Sequence, residues 1–203
     1  MGVINITPDS FSDGGRYLLR DEAVAHAHRL MEEGADLLDL GGESTRPGAE
    51  PVSAQQEIDR VIPVMEALRG SPIPLSIDTC KAEVARAALV AGASMINDIT
   101  ALQQPDMLHA VAASDAAVCL MHMQGTPQNM QIEPHYDDVV AEVKSFLRER
   151  IAVVEAAGIA RERIVIDPGF GFGKTLVHNL ALLRQLEDFA DLGVPLLAGL
   201  SHK

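Results

Sequence analysis

Side chains able to do chemistry recur at one kind of place in this sequence, the end of a short apolar run. Asn5 and Thr7 close the run that begins at Val3. Asp39 sits in Leu37–Leu40, ahead of Gly41-Gly42-Glu43-Ser44-Thr45-Arg46-Pro47-Gly48. Asp78-Thr79 end a run from Leu75, Asn97-Asp98 a run from Met95, and His122 follows Ala117–Met121. Asp167 closes Ile164–Ile166, ahead of Pro168-Gly169-Phe170-Gly171-Phe172-Gly173-Lys174, and Ser201-His202-Lys203 follows Leu196–Leu200. Carboxylates and amides on one floor suit a ligand edge rich in N–H groups, because a carboxylate accepts two parallel hydrogen bonds from an amino-amidine. Asp78, Asn97 and Asp167 are the candidates, and Lys203 can donate to a carbonyl or ring nitrogen across the ligand. Helix capping or turn formation would explain any one of these residues alone. Recurrence at all seven run ends favours a shared mouth.

Two other chemistries are weaker on the residues. Gly171-Phe172-Gly173-Lys174-Thr175 resembles a phosphate loop, but that pattern needs Gly at the position of Pro168, so ATP hydrolysis is excluded. His122 is read as a hydrogen-bonded wall residue rather than a base. Met121 ends its strand and can line the pocket, while the remaining methionines are core filler.

The elements that must position these groups alternate regularly. Runs at 3–6, 37–40, 75–78, 95–98, 117–121, 164–167 and 196–200 read as seven strands of a parallel sheet buried on both faces. Gly34, Gly92, Gly158 and Gly193 stand ahead of four of them, where a left-handed helix cap is expected. Between the strands, six helical patterns read: one capped by Asp21, one opened by a Ser53/Gln56 capping box, and others over 81–91, 106–114, 136–157 and 176–191. Strict alternation gives an α/β fold. A (β/α)8 barrel is preferred to a doubly wound sheet, because nearly every strand, not two at a switch point, ends in a polar residue. One domain is expected over residues 1–203, lacking the last helix–strand–helix stretch of such a barrel.

Composition narrows the partners. Formal net charge is −13, which leaves no basic face for nucleic acid or an anionic membrane. A small anionic substrate remains compatible if a few cations are concentrated at one site. Cys80 and Cys119 stand in no metal or redox spacing and read as reduced, buried thiols. No apolar run approaches a membrane span and no leader precedes the first strand, so a cytoplasmic location is expected.

The strand-end motifs together resemble the dihydropteroate synthase family. Asn5 through Gly15 is similar to its first signature and Gly42 through Gly48 to its second. Ser76-Ile77-Asp78-Thr79, Ile96-Asn97-Asp98-Ile99, Met121 through Pro127 and Asp167 through Lys174 follow in the family's order. The resemblance implies a (β/α)8 barrel that joins p-aminobenzoate to 6-hydroxymethyl-7,8-dihydropterin diphosphate, giving 7,8-dihydropteroate and diphosphate, in a folate step blocked by sulfonamides. It implies that Asp78, Asn97, Met121, Asp167, Gly199 and Lys203 hold the pterin. Phe11, Thr45, Arg46, Pro47, Phe172 and Ser201 would surround the p-aminobenzoate and its mobile loops. Asn5, Asp9 and Lys203 would be the catalytic group, with Asn5 facing Mg²⁺. A homodimer is implied for the complete enzyme.

Two departures stand out. His202 occupies a position where the family usually has Arg, and the phosphate-gripping Arg and His of an eighth strand are missing. The chain therefore reads as a C-terminally incomplete copy. A non-catalytic pterin- or methyltetrahydrofolate-binding barrel would share the strand-end Asp and Asn residues. It is not expected to carry the Thr-Arg-Pro-Gly loop or the Phe-Gly-Phe-Gly-Lys segment.

Overall fold

The computed structural model describes residues 1–7, 16–45 and 49–200. Six strands, β1 Gly2–Asn5, β2 Leu38–Gly41, β3 Leu75–Asp78, β4 Met95–Asp98, β5 Ala117–Met121 and β6 Ile164–Asp167, pair in parallel and in chain order. Six α-helices follow them: α1 Arg16–Glu32, α2 Ala54–Ala67, α3 Ala82–Ala91, α4 Pro105–Ala112, α5 Val139–Ala156 and α6 Leu176–Arg184. A doubly wound sheet reverses its strand order at a switch point. The order here does not reverse, so crossovers of one hand lay every helix on the same face, which is (β/α)-barrel topology.

Alternation along each strand separates two environments. Ile4, Leu40, Ile77, Ile96, Val118, Leu120 and Ile166 face the helices and are fully buried, packed with Val61, Val84, Met107, Val143 and Leu147. The opposite face is small and polar. Parallel partners share a face, and the register runs Val3–Asp39–Ser76–Met95–Ala117, then Asn5–Gly41–Asp78–Asn97–Cys119 one pleat nearer the C-terminal mouth.

Local chemistry explains most element ends. Ser53 accepts from the Gln56 N–H while the Gln56 side chain accepts from the Ser53 N–H, closing the expected capping box of α2. Gly34, Gly92, Gly158 and Gly193 all take positive φ, as left-handed caps require.

Three expectations need correction. The first helix begins at Arg16, so Asp21 lies inside α1 and exposed, not at its cap. The last helical stretch becomes 3₁₀ over Leu186–Leu192. Its apolar residues Leu186, Phe189 and Leu192 recur every three positions, the period that places them on one face of a 3₁₀ helix. The seventh strand is a single parallel bridge between Ile166 and Leu196, held by Ile166 N–H to Pro195 O at 3.0 Å and Leu197 N–H to Ile166 O at 2.8 Å. Pro195 supplies no N–H to a ladder, and among the described residues this segment has a neighbour on one side only.

Candidate active site

The inner face of the sheet rises to a polar floor at the C-terminal mouth. Asn5, Gly41, Asp78 and Asn97 are successive register partners across β1 to β4. A Cβ added at Gly41 would lie 3.6 Å from Asp78 Oδ2 and 3.7 Å from Asn5 Oδ1. The missing side chain thus leaves room between two oxygen donors. One layer below, buried Asp39 accepts a 2.9 Å hydrogen bond from Asn97 Nδ2. Burial raises the Asp39 pKa above the usual carboxylate range, against the opposing pull of Ser76 and Asn97. Cys119 lies buried in the fields of Asp167, Asp39 and Asp78, and burial first, then those charges, push its thiol well up. The Cys80 thiol is pushed up to about 11, chiefly by burial. Both cysteines are therefore poor nucleophiles.

Asp167 and Met121 are register partners at the far side of the floor. Asp167 Oδ1 accepts the Gly169 N–H at 2.7 Å, and a Cβ at Gly199 would lie 3.7 Å from its Oδ2. Met121 packs with Phe172, Ile99 and Met130 in a small cluster beside the main core. The loop after β6 that carries Phe172 is pinned to the loop after β5. The Gln131 side chain donates to Gly171 O at 2.5 Å and Tyr136 Oη to Gly173 O at 2.9 Å. Buried Lys174 Nζ reaches His122 Nδ1 at 2.9 Å, Phe172 O at 3.0 Å and His122 O at 3.3 Å. Gly169, at φ +72°, allows this approach, since a Cβ there would meet His122 O at 1.9 Å.

The electrostatics of that pair decide the role of His122. Burial, then the charge of Lys174, lowers its pKa to about 3. Lys174 is pushed down to about 7 by burial, partly offset by Asp167. A neutral imidazole whose Nδ1 is occupied by a lysine is a wall and a strut, not a general base.

Of the expected site residues, the structure brings Asn5, Asp78, Asn97, Met121, Asp167, Gly199 and Phe172 to one mouth. Thr45 lies half-buried on the loop after β2. Asp9, Phe11, Arg46, Pro47, Ser201 and Lys203 fall outside the described residues. Asp78 and Asp167 do not cap helices: the N-caps of α3 and α6 are Lys81 and Thr175. Asp98, by contrast, is structural. Its carboxylate accepts from Thr100 N at 2.8 Å and Leu102 N at 2.9 Å, on the helix side of the sheet. Sequence reasoning named Asp39 and Lys174 without giving either a role, and it passed over Glu57. Their signal was a charged residue at an apolar position: Asp39 between Leu38 and Leu40, and Glu57 on the α2 face that also carries Val61, Val64 and Met65.

Comparison with known proteins agrees with this geometry. The whole chain, residues 1–203, matches the family model described as "Pterin binding enzyme". Dihydropteroate synthase of Escherichia coli K12 is 52% identical over 204 residues, covering 100% of this chain and 72% of that enzyme. Among solved structures, Xanthomonas albilineans dihydropteroate synthase with 4-aminobenzoic acid superposes with a TM-score of 0.92 at 58% identity, covering 99% of this chain and 72% of that one. The same enzyme in complex with 7,8-dihydropteroate gives 0.88 at 54% identity, covering 100% and 72%.

Proposed function

The chain belongs to the pterin-binding enzymes and, within them, to the dihydropteroate synthases, and from that premise we propose how its residues divide the work. The reaction is a transfer: p-aminobenzoate replaces diphosphate on 6-hydroxymethyl-7,8-dihydropterin, giving 7,8-dihydropteroate. The non-catalytic pterin-binding module considered above is displaced by relatives at about half identity along the whole chain that are themselves synthases.

Asp78, Asn97 and Asp167 hold the amino-pyrimidine edge of the pterin, with Met121 and Gly199 shaping the slot and Lys203 donating from the opposite side. One observation carries this reading. Three side chains able to accept N–H groups stand on one inner face, and none of them caps a helix. Asp39 sets the amide of Asn97 by accepting one of its hydrogens, which leaves the Asn97 oxygen to face the ligand. Phe11, Thr45, Arg46, Pro47, Phe172 and Ser201 enclose the p-aminobenzoate.

The C–O bond to diphosphate breaks and a C–N bond forms from the aniline nitrogen, which then loses a proton. No covalent intermediate with the protein is needed. The protein contributes orientation and exclusion of water, with Asn5, Asp9 and Lys203 nearest the departing group. Mg²⁺ suits this mouth, because Asn5 Oδ1 is a hard oxygen donor with space beside it where Gly41 carries no side chain. Such an ion keeps most of its ligands as water and substrate phosphate and needs few protein donors. Asn5 would hold it, and it would neutralise charge on the leaving diphosphate. Among the described residues, no group of three or more His, Cys, Asp or Glu converges as a metal cage. Small-molecule substrates, a cytoplasmic location and a homodimer complete the reading. No helix among the described residues is long and apolar enough to cross a membrane.

The test is product formation from the two substrates by the chain, with Asp167→Asn and Asp78→Asn beside it. Turnover by the parent and its loss in both variants is expected. Turnover retained by both variants would remove the assigned roles.

A further inference from the structure

Lys81 stands where a cation is least welcome, at the N-cap of α3, and it makes no cap hydrogen bond. Its position is explained by two carboxylates. Nζ lies 2.7 Å from Glu43 Oε2 and 2.7 Å from Glu57 Oε2, and the Glu57 side chain is fully buried on α2. Burial opposes the charge of Lys81, yet the hydrogen bonds to Glu43 and Glu57 hold its pKa above the ordinary value.

The three residues come from parts of the chain that serve different substrates. Glu43 lies two residues before Thr45, at the near end of the loop after β2. Its other oxygen, Oε1, accepts the Val52 N–H at 2.8 Å, which ties the far end of the same loop. Arg60 of α2 donates to Gly42 O at 2.8 Å. A Cβ at Gly42 would meet Val61 Cγ1 at 2.8 Å and Glu57 Cγ at 2.9 Å, so this end of the loop is pressed onto α2. Lys81 itself is three residues past Asp78, in a turn fixed by Lys81 N–H to Thr79 Oγ1 at 3.2 Å and Thr79 N–H to Asn97 O at 3.0 Å.

We propose that Lys81 is a positioning residue that couples the two half-sites: through Glu43 and Glu57 it fixes the loop carrying Thr45 to the turn carrying Asp78. The coupling rests on the reading of those half-sites given above. It also explains why a buried glutamate is kept on the apolar face of α2, since Glu57 supplies the second anchor that prevents Lys81 from swinging into solvent.

Removing Lys81 alone strands a buried carboxylate, so the test uses Lys81→Met combined with Glu57→Gln, and Glu43→Gln as a milder cut that leaves the Lys81–Glu57 pair intact. Hydrogen–deuterium exchange of the Val52 amide reports the loop without substrate, and steady-state kinetics report each half-site. In both variants Val52 exchange should accelerate by roughly tenfold while the β3 and β4 amides keep their protection. The KM for p-aminobenzoate should rise by about tenfold against less than about twofold for the pterin diphosphate, a split that general loosening would not produce. Lys81→Arg, which keeps a cation between Glu43 and Glu57, should leave both close to the parent values. Unchanged Val52 exchange would overturn the proposal, as would equal rises in both KM values. A parent chain that forms no dihydropteroate would count against the synthase reading alone, and the exchange comparison would still decide whether Lys81 anchors the loop.

Discussion

The two faces of one sheet have opposite jobs. On β3, Leu75 and Ile77 face the helices and are buried in an apolar core, while Ser76 and Asp78 face inward with Asn97 and Asp39 nearby. The outer face gains stability from burial. The inner face carries hydrogen-bonding groups in place of apolar ones, and under the proposal that these hold the pterin, mutations on the two faces should fail in different ways.

The largest effect is expected from the outer face. Ile96→Ala should cost about 2–5 kcal/mol of folding stability, from lost burial and the cavity left behind. Pterin affinity of the fraction that remains folded should be nearly unchanged, and denaturant unfolding with calorimetric titration separates the two quantities. On the inner face, Asp167→Asn should do the reverse. Removing a charge-assisted hydrogen bond should weaken binding of a pterin analogue by roughly 1.5–3 kcal/mol, about 10- to 150-fold. Its midpoint of unfolding should move little. Loss of stability without loss of affinity in Asp167→Asn would break the comparison.

The wall between the loops after β5 and β6 adds a pH test. His122 takes up its proton at about 3 when folded, against 6.5 for an ordinary histidine. Between those values the unfolded chain binds a proton that the folded chain refuses. Stability from this residue is therefore complete above 6.5 and declines as pH falls toward 3. Lys174, at about 7 when folded, is still partly neutral at pH 6.5 and adds a smaller slope of the same sign there, which fades by about pH 5.5. From pH 6.5 to 5 the slope should approach roughly 1.4 kcal/mol per pH unit, and His122→Gln should flatten it. An equal slope in the variant would assign the acid sensitivity elsewhere. The smallest effect belongs to the periphery. Ser53→Ala should cost about 1 kcal/mol through loss of the capping box, with no change in ligand binding.

These contrasts also explain what could be read in advance. Strand ends were legible because parallel strands buried on both faces read as apolar runs, and a polar residue that ends such a run stands out. The capping box at Ser53 and the left-handed glycines were legible because each is a local backbone requirement. Asp39 was not, because a single carboxylate inside a strand looks the same whether it meets solvent or the amide of Asn97. Lys174 was met only as part of a failed phosphate loop. Its partners, His122 and the carbonyl of Phe172, come together through loop packing that no sequence period encodes. The start of α1 at Arg16 was missed because Asp21 offered an N-cap ahead of the Ala23–Met31 stripe, although Leu19 continues that stripe one turn earlier.

The most direct test of the inner face as a pterin floor is calorimetric titration of a pterin analogue into the chain and into Asp78→Asn and Asp167→Asn, with unfolding midpoints measured in parallel. One pterin bound by the parent, and at least about tenfold weaker binding by each variant at an unchanged midpoint, is the predicted result. Unchanged affinity in both variants would contradict the account, because the two carboxylates would then stand at the mouth without holding the ligand.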